Sequence, residues 1–446
     1  MGHIVIIGNG VSGITAARYI RKQDSAARIT VVSTETDYFY SRTALMYIYM
    51  GHMKFENTQP YEPHFWGENR IELKRGFVNS IDYNGKTLQF EGDDSMNYDS
   101  LILAVGSKSN KFGWPGQDLP GVQGLYSYQD LELLEENSKG AKKAVIVGGG
   151  LIGIELAEML LSRGIQVTIL IRETSFWSGI LPDGESELVT RHIYEHGIDL
   201  RRSTELDEII AGSDGRVEKI RTKAGEEIAC QIVGLTAGVT PNIDFLKGSK
   251  LELDRGILVN QYLETNIPNV YALGDCAQFK EPVTGRKSVE QVWYTGKIMG
   301  ETVAGTITGN RQKYNPGPWF NSAKFLDIEY QTYGWVFSKL RDGEADFYWE
   351  HVDGKMCMHF VYEATTRKFL GINTFGIRLR HHAFDTWLNE SATVDHIMEH
   401  LKDANFDPEF YKQYEEEIVS KFNQDTGAAV IVKRRSWDRI LKLIKV

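Results

Sequence analysis

Three glycines near the N-terminus, Gly8, Gly10 and Gly13, have the spacing of a phosphate-binding turn between a strand and a helix. The apolar run at residues 4–7 precedes them and predicts a buried parallel strand. In such a turn the first glycine permits the bend, the second lets the backbone approach a pyrophosphate, and the third lets the helix pack closely. The N-terminus of the following helix adds unpaired N–H groups and a partial positive charge. We therefore expect a dinucleotide site here, the alternative being a tight turn without a ligand.

Two polar residues after this turn are candidates for contacts to the same ligand. Glu35 stands 22 residues beyond Gly13, just after a predicted strand at residues 28–32. A carboxylate in this position can accept hydrogen bonds from ribose hydroxyls. Arg42 is either a pyrophosphate clamp, because a guanidinium matches phosphate oxygens, or a surface arginine. Spacing leaves both interpretations of Arg42 open.

The same pattern occurs again about 140 residues later. A predicted strand at residues 144–147 leads into Gly148, Gly150 and Gly153, and a predicted helix follows. Two complete fingerprints predict two dinucleotide sites that arose by duplication. We infer that one bound dinucleotide exchanges electrons with the other.

The residues after the next predicted strand, at residues 166–171, address the choice of nicotinamide cofactor. An NAD site usually carries a carboxylate there, and an NADP site carries an arginine for the 2′-phosphate. The sequence offers both, as Arg172 and Glu173. We favour NADPH slightly, because arginine pairs well with phosphate. The alternative is that Glu173 holds the ribose of NADH.

Composition limits the class of protein. The chain has 446 residues, 42% of them hydrophobic, and a net charge of −10, which disfavours general nucleic-acid binding. No apolar run reaches the length of a membrane span, and a strand is predicted from residue 4, so we expect no signal peptide. Its three cysteines form no CxxC or CxxxxC pair. We expect a cytoplasmic protein without a redox disulfide or a metal site, including at the adjacent His381 and His382, which would point apart on a helix.

The remaining segments complete the pattern. Residues 70–90 alternate between apolar and polar around Asn84-Gly85, which predicts a hairpin. Residues 98–106 predict a buried strand that ends in small residues. The strand at residues 270–273 runs into Gly274-Asp275, and a helix is predicted from about Val289.

These motifs together resemble one family. The chain is similar to the FAD-dependent pyridine nucleotide oxidoreductases with two dinucleotide-binding domains. Within that family it resembles the rubredoxin and ferredoxin reductases and the flavin domain of assimilatory nitrite reductase. The resemblance rests on both fingerprints, on the loop Tyr40-Ser41-Arg42, and on the segments 98–106, 238–242 and 267–275.

The resemblance implies an α/β fold. Two Rossmann-like dinucleotide-binding domains, the second inserted in the first, would be followed by a C-terminal α+β domain. We expect the FAD-binding domain at residues 1–113 and 239–314 and the NAD(P)H-binding domain at residues 114–238. The interface domain, with an extension and a basic tail, would then occupy residues 315–446.

The resemblance also assigns roles to residues. Asp275 would bind the ribityl chain of FAD, Arg42 its phosphate, and Glu155 would lie near the nicotinamide as a catalytic residue. The helix from about Val289 would point its N-terminus at the flavin pyrimidine ring. The full cofactor-binding set is Gly8, Gly10, Val11, Ser12, Gly13, Glu35, Arg42, Val78, Ala104, Gly106, Gly148, Gly150, Leu151, Ile152, Gly153, Arg172, Gly238, Asp275, Val292 and Trp293.

Three departures from the family pattern narrow the prediction. No cysteine occurs in residues 37–51, which excludes the disulfide reductases and the single-cysteine oxidases and peroxidases. Tyr47 stands where relatives often have a lysine paired with the glutamate near the flavin, so we do not expect that pair here and take Tyr47, with Glu155, as a candidate catalytic residue. Ile171-Arg172 resembles NADPH-using reductases, but Ser178 stands where those have a second arginine.

The acceptor of the electrons is the open question. We expect a small iron–sulfur or rubredoxin-like protein. The alternatives are a membrane quinone and a redox-sensing role. Residues 433–446 are basic, with Trp437, Ile440, Leu441 and Ile444 on one helical face. They are suited to contact with an anionic membrane or an acidic partner, or to packing on their own domain. Because the C-terminal domain of relatives mediates dimerisation, a homodimer is a possible assembly.

Overall fold

The computed structural model describes residues 2–406 and 412–433. The strands are, in chain order, β1 (His3–Ile7), β2 (Arg28–Ser33), β3 (Ile71–Arg75), β4 (Val78–Asp82), β5 (Thr87–Phe90), β6 (Ser95–Asn97), β7 (Ser100–Leu103), β8 (Ser107–Ser109), β9 (Val122–Gln123), β10 (Lys143–Val147), β11 (Gln166–Leu170), β12 (Asp199–Arg201), β13 (Leu206–Ala211), β14 (Val217–Thr222), β15 (Glu227–Ala229), β16 (Ile232–Leu235), β17 (Val239–Pro241), β18 (Ile257–Val259), β19 (Val270–Ala272), β20 (Ala277–Phe279), β21 (Phe320–Phe325), β22 (Ile328–Gly334), β23 (Glu344–Glu350), β24 (Cys357–Glu363) and β25 (Phe369–Phe375). The α-helices are α1 (Val11–Gln23), α2 (Leu45–Tyr49), α3 (Pro63–Glu68), α4 (Tyr128–Asn137), α5 (Leu151–Ser162), α6 (Asp183–Glu195), α7 (Trp293–Ile307), α8 (His381–Asn389), α9 (Val394–Glu399), α10 (Leu401–Ala404) and α11 (Glu415–Thr426).

The chain forms two compact units. The first comprises the chain up to Leu170 together with Thr204–Pro316, and the second comprises Ile171–Ser203 together with the chain from Gly317 onward. The amphipathic helix expected in the basic tail lies outside the described residues, of which Lys433 is the last. No α-helix in the described ranges combines the length and the apolar character that crossing a bilayer requires.

A five-stranded parallel sheet organises the first unit. Its strand order is β19-β7-β1-β2-β3, with β1 in the centre and both of its neighbours parallel to it. Residues 4–7 of β1 are all buried, because a parallel sheet of this kind is covered on both faces. The carboxyl ends of these strands share one edge of the sheet, which is where ligands bind in open α/β folds.

A second parallel arrangement follows within the same unit. Strands β11, β10, β16 and β9 lie side by side in that order, and β10 pairs in parallel with both β11 and β16. Two antiparallel meanders, β4-β5-β6 and β13-β14-β15, accompany the two sheets. Each sheet therefore has its own glycine-rich turn after its central strand, as the duplicated pattern predicts.

The chain leaves the first sheet and returns to it at one place. Strand β8, just after the first sheet's β7, pairs in antiparallel fashion with β17, with Ser107 opposite Pro241 and Ser109 opposite Val239. After β17 the chain returns to the first sheet through β19, which pairs with β7. The second dinucleotide-binding fold is thus inserted in the first, which confirms the predicted fold class.

The second unit is α+β. Its antiparallel sheet has the order β21-β22-β25-β24-β23, and α8 to α11 follow it in sequence. The aromatic side chains of Trp349, Phe360, Phe384 and Phe422 are almost completely buried in its core. This confirms the C-terminal α+β domain of the predicted fold.

The segment 171–203 joins this unit through a buried polar group at the start of α6. Glu185 is fully buried, accepts a hydrogen bond of 2.7 Å from Asn373 of β25, and lies 2.9 Å from His359 of β24. Burial lowers the pKa of His359, but the hydrogen bond with Asp346 and the adjacent Glu185 carboxylate outweigh this effect and raise the pKa to about 9. A buried carboxylate without such partners would be costly, so this group fixes α6 against the sheet.

The hairpin predicted around Asn84-Gly85 is formed by β4 and β5, but the prediction was wrong for residues 71–75, because β3 joins the parallel sheet beside β2. Alternation shows that a strand has one buried side but not which partner it pairs with. The helix predicted from Val289 begins at Trp293, because Val292 is still extended, with φ −134° and ψ 137°.

Helices α1 and α7 pack with their backbones in close contact through two glycines. A Cβ on Gly296 would lie closer than 3.0 Å to the Ser12 hydroxyl oxygen, and a Cβ on Gly300 would lie equally close to the Ser12 carbonyl oxygen. A Cβ on Gly300 would also lie 2.9 Å from Thr15 Cβ. Any side chain at these two positions would therefore force the helices apart.

We expect Gly300→Ala to destabilise the protein by about 1–3 kcal/mol, because the added methyl group meets backbone that cannot move freely. This cost exceeds the gain of up to about 1 kcal/mol that alanine brings to a helix. The melting temperature of the purified protein measures the effect.

Gly67→Ala is the matched control, because Gly67 lies in α3 with no atom within 4 Å of its added Cβ. It should leave the melting temperature unchanged or raise it. Equal behaviour of the two variants would contradict the steric explanation.

Candidate cofactor site

A cavity of about 1170 Å³ lies in the first unit at the carboxyl edge of the first sheet. Its wall includes the turn after β1, the residues after β2 and β7, and the start of α7. Of the residues predicted from sequence, the wall contains Gly8, Gly10, Val11, Ser12, Glu35, Arg42, Val78, Ala104, Gly106, Ile152, Glu155, Asp275 and Trp293. The predicted residues outside this wall are Gly13, Tyr47, Gly148, Gly150, Leu151, Gly153, Arg172, Gly238 and Val292.

Each of the three positions in the first turn requires glycine for a different structural reason. Gly8 has φ +114°, and a Cβ there would lie closer than 3.0 Å to the Ala104 carbonyl oxygen of the neighbouring strand end. A Cβ on Gly13 would collide with the Gly8 carbonyl oxygen. Gly10, in contrast, has no atom within 4 Å of the position of its Cβ. The space beside Gly10 is open to the cavity, as a site for close approach of a ligand requires.

The N-terminus of α1 has no protein cap. Gly10 is the N-cap residue, no side chain accepts from the first turn, and Val11 and Ser12 both lie in the cavity wall. The first N–H groups of a helix have no partner within the helix. They are therefore available to an anion, and the helix dipole favours a negative charge at this point.

The second glycine-rich turn repeats this construction. Gly148 has φ +122°, and its Cβ would lie 2.7 Å from the Thr236 carbonyl oxygen. A Cβ on Gly153 would lie 2.5 Å from the Gly148 carbonyl oxygen, whereas the nearest atom to a Cβ on Gly150 is 4.0 Å away. Helix α5 also begins without a side-chain cap. The two turns are equivalent in geometry as well as in sequence.

Glu35 and Arg42 are joined in the structure. Arg42 Nη1 and Nη2 donate to the two carboxylate oxygens of Glu35 at 2.8 and 2.7 Å. The Tyr128 backbone N–H donates to Glu35 at 2.8 Å, and the Tyr40 hydroxyl donates to the same oxygen. Although burial raises the pKa of Glu35, the hydrogen bonds from Arg42 hold it below its ordinary value. Glu35 is therefore ionised and fixed in place, with Oε2 accepting from Arg42 alone among the described residues.

Tyr126 connects this pair to Asp275. The Arg42 guanidinium lies 4.5 Å from the centre of the Tyr126 ring, and the Tyr126 hydroxyl donates to Asp275 at 3.1 Å. The same hydroxyl accepts from the Ser107 backbone N–H at 2.9 Å. Burial raises the pKa of Asp275, while the Tyr126 hydroxyl and Arg42 oppose that rise. Tyr126 was not predicted from sequence because it lies outside every motif.

Glu155 lies in the cavity wall on α5 with no hydrogen-bond partner among the described residues. Burial, together with the nearby charge of Glu158, raises its pKa to about 7. A carboxyl group with this pKa is present in both protonation states near neutral pH, which is typical of functional sites. No described hydrogen bond connects Glu155 to Tyr47, whose ring stacks on His52 with centroids 6.2 Å apart.

Helix α7 presents its N-terminus to the same cavity. Trp293, its first residue, lies in the wall and is 40% exposed. Val292 is the N-cap residue and makes no side-chain cap, so the positive end of the helix dipole faces the cavity without a Val292 side-chain cap. Since α1 and α7 pack closely near Ser12, two uncapped helix ends lie in one wall.

Arg172 and Glu173 lie in the second unit, directly after β11 in sequence. Arg172 is exposed and forms no ion pair among the described residues, and the Glu173 carbonyl accepts from the Ser203 N–H at 2.9 Å. Arg202 donates to the Thr174 carbonyl at 3.2 Å, which places a second guanidinium beside this loop. Arg202 was not predicted from sequence because it is 30 residues from Arg172 and belongs to no motif.

The three cysteines do not form a redox centre. Cys230, Cys276 and Cys357 are free and buried, and none of them lies in the cavity wall. Burial raises the pKa of the Cys276 thiol to about 12, which makes it a poor nucleophile. A redox-active disulfide is therefore excluded, as the sequence predicts.

Comparison with known proteins decides the family. The model of the pyridine nucleotide-disulphide oxidoreductase family matches residues 2–299. The chain belongs to this family. It is an FAD-dependent NAD(P)H oxidoreductase, and the cavity fits FAD through its open Gly10, the uncapped end of α1 and the carboxylates of Glu35 and Asp275.

Two relatives and one solved structure describe the similarity. Rhodocoxin reductase of Rhodococcus erythropolis is 30% identical over 72% of this chain and 76% of its own. A ferredoxin–NAD(P)(+) reductase of Sphingomonas sp. is 29% identical over 74% of this chain and 80% of its own. The ferredoxin reductase of Rhodopseudomonas palustris matches with a TM-score of 0.77 at 23% identity over 94% of this chain and 99% of its own, which shows the shared fold.

We expect Gly10→Ala to yield a folded protein that has lost most of its FAD. The methyl group meets no protein atom but occupies the space beside the uncapped helix end. FAD affinity should fall at least about ten-fold, which corresponds to ~1.4 kcal/mol. The flavin-to-protein absorbance ratio after dialysis, together with the circular dichroism spectrum, measures the two properties.

Gly150→Ala is the matched control at the second turn, where a Cβ has equally open space. This variant should keep its FAD and bind the nicotinamide cofactor more weakly. Loss of FAD from Gly150→Ala, or full retention in Gly10→Ala, would contradict this assignment of the two turns.

Proposed function

We propose that this enzyme passes electrons from a nicotinamide cofactor through FAD to a separate small iron–sulfur or rubredoxin-like protein. The absence of cysteine from the cavity wall among the described residues carries the proposal, because electrons then have no internal disulfide to enter. The names of the relatives, rhodocoxin reductase and ferredoxin–NAD(P)(+) reductase, support the same class of acceptor.

The roles of the site residues are part of this proposal. FAD binds at the first turn, with its pyrophosphate at Gly10 and α1, its adenosine ribose at Glu35 and its ribityl chain at Asp275. The second turn, Gly148 to Gly153, binds the nicotinamide cofactor. The expected domain boundaries at residues 113, 238 and 314 follow from these assignments. Bound FAD supplies the hydride acceptor, and the protein orients and polarises the reactants.

Arg42 acts through Glu35 as well as through phosphate. Its fork holds the Glu35 carboxylate, which leaves Nε–H and one Nη2 proton for another acceptor. The FAD pyrophosphate is the fitting acceptor, because the guanidinium geometry matches phosphate oxygens. We therefore retain the clamp interpretation of Arg42, as an arginine that Glu35 anchors on one side.

The acceptor test compares three probes with one enzyme preparation. Reduction of a ferredoxin and of a rubredoxin is followed by their visible absorbance, and reduction of a soluble quinone by its ultraviolet absorbance. The proposal expects at least one protein acceptor to exceed the quinone in kcat/KM by about ten-fold or more. A quinone that exceeds both protein acceptors, with activity that falls when residues 433–446 are removed, would favour the quinone alternative.

We expect flavin reduction to become faster as the pH rises through about 7, because Glu155 becomes ionised above that pH. Below its pKa the carboxyl group is neutral. Above it, the carboxylate stabilises the positive charge that develops on the nicotinamide ring as hydride leaves. Rapid-mixing measurements of flavin bleaching between pH 5.5 and 8.5 check this dependence.

Glu155→Gln should bleach at the slow rate of the protonated wild type at every pH in this range. We expect the bleaching rates of the wild type at pH 5.5 and at pH 8.5 to differ about ten-fold, which is the size of effect expected from one carboxylate charge near the reacting carbon. An inflection near pH 7 that persists in Glu155→Gln would assign it to another group.

NADPH is the favoured cofactor, with Arg172 and Arg202 as the groups that respond to its 2′-phosphate. The support is the position of Arg172 after β11 and the contact of Arg202 with Thr174 in the same loop. We expect Arg172→Ala to raise the KM for NADPH about ten-fold or more and to leave that for NADH nearly unchanged. Arg202→Ala should act in the same direction.

Arg201→Ala is the control for general loss of positive charge, because Arg201 is engaged by Asp199 at 2.8 Å. If the wild type prefers NADH and Arg172→Ala does not change this preference, the favoured cofactor is NADH. Glu173 would then be the residue that selects the cofactor, by binding the ribose. The comparison uses anaerobic flavin bleaching with both nucleotides.

A cytoplasmic location and a homodimer remain predictions.

A further inference from the structure

The second unit brings two histidines and an aspartate together at a point that the flavin reaction does not use. His192 lies in the last turn of α6 and His196 is its C-cap residue, so the two are four residues apart and share one face. Asp327 lies in the turn between β21 and β22. One potential ligand atom from each of the three residues lies within 4.8 Å of the others.

The ring nitrogens of both histidines face one carboxylate oxygen. His192 Nε2 contacts Asp327 Oδ1, and His196 Nε2 lies 3.3 Å from the same oxygen. In a tetrahedral zinc site with bonds of about 2.0–2.1 Å, neighbouring ligand atoms are ~3.3 Å apart. The distance between His196 Nε2 and Asp327 Oδ1 already matches this separation of neighbouring ligand atoms. Only the distance between His192 Nε2 and Asp327 Oδ1 would have to increase when a metal ion binds.

The tautomer of His196 is the decisive observation. Its Nδ1 lies 2.9 Å from the His192 carbonyl oxygen, so Nδ1 carries the proton and donates it there. A neutral His196 therefore directs the Nε2 lone pair at a carboxylate oxygen. Two electron pairs facing each other at this distance repel unless a proton or a cation lies between them. A backbone carbonyl that holds the other ring nitrogen is also the usual outer-shell partner of a metal-binding histidine.

A carboxylate, the second common kind of outer-shell partner, lies near the buried Nδ1 of His192. The side chain is 2% exposed, and its Nδ1 is buried without a hydrogen bond. The nearest carboxylate oxygen is Glu195 Oε2, 3.6 Å from Nδ1. If Nε2 binds a metal, Nδ1 carries the proton and a small movement of Glu195 satisfies it. The buried nitrogen that lacks a partner is thereby explained.

We propose that His192, His196 and Asp327 form a binding site for a divalent transition-metal ion of the zinc class. Two imidazole nitrogens and a carboxylate suit Zn²⁺, with water as the fourth ligand. When the ion binds Nε2, the ring proton that His192 shares with Asp327 moves to Nδ1, so the step needs no other proton acceptor. The ion joins α6 to the β21–β22 hairpin and is structural.

A second histidine cluster in the same unit serves as a comparison. His396, Glu399 and His400 have the same spacing on α9 and its C-cap. There the carboxylate already binds a cation, because Lys433 Nζ donates to Glu399 at 2.5 Å. This second cluster is therefore the poorer metal site and the matched control for nonspecific binding by surface histidines.

The experiment uses the tag-free, FAD-loaded enzyme after treatment with a chelator. Equilibrium dialysis against Zn²⁺ at pH 7.5, followed by metal analysis, should find one tightly held Zn²⁺ per chain. His196→Ala should weaken binding at least ten-fold, and His400→Ala should leave it unchanged. Zn²⁺ should also raise the melting temperature of the wild type but not that of His196→Ala.

Asp327→Asn is the second variant, because its side chain is 63% exposed and its replacement removes a ligand without disturbing the core. This variant should lose affinity for Zn²⁺ to the same extent as His196→Ala, and its FAD content should stay normal. No tightly held Zn²⁺ in the wild type would overturn the proposal. So would full retention in both variants, or a loss confined to His400→Ala.

Discussion

The close packing of α1 against α7 is the constraint on which the flavin site depends. Gly296 and Gly300 let α7 approach the backbone of Ser12, and this contact brings two helix N-termini into one cavity wall. Neither N-cap residue caps its helix with a side chain, so both helix ends present partial positive charge to the cavity. Two helix dipoles that point into one cavity both favour negative charge on a bound ligand.

The polar groups of the site form one connected arrangement. Arg42 holds Glu35 in a fork and lies over Tyr126, and Tyr126 in turn donates to Asp275. Each carboxylate is therefore fixed before a ligand arrives, which reduces the entropy cost of binding. Glu155 is the exception, because it has no partner among the described residues and its pKa is raised to about 7. The groups proposed to bind FAD are thus held firmly, and the group proposed to act near the nicotinamide changes its charge.

Sequence alone was sufficient for the parts that depend on local chemistry. The two glycine-rich turns, their strands and helices, and the absence of a reactive disulfide were predicted correctly, because backbone sterics and cysteine spacing are written in short segments. Sequence reasoning missed Tyr126, Arg202 and the contact of His196 with Asp327, because each depends on residues distant in the chain. The start of α7 was misplaced since nothing in residues 289–292 signals that the backbone remains extended there.

The pairing of β8 with β17 has a topological consequence. The chain enters and leaves the inserted fold through two adjacent antiparallel segments, Ser107–Ser109 and Val239–Pro241. An insertion whose ends lie side by side can be added to a host domain without opening the host sheet. The intervening residues form a cassette, and a foreign nucleotide-binding fold with similarly close ends could replace it while β7 and β19 remain paired. Modular exchange at this junction offers a route by which such an enzyme can change its electron donor and keep its flavin.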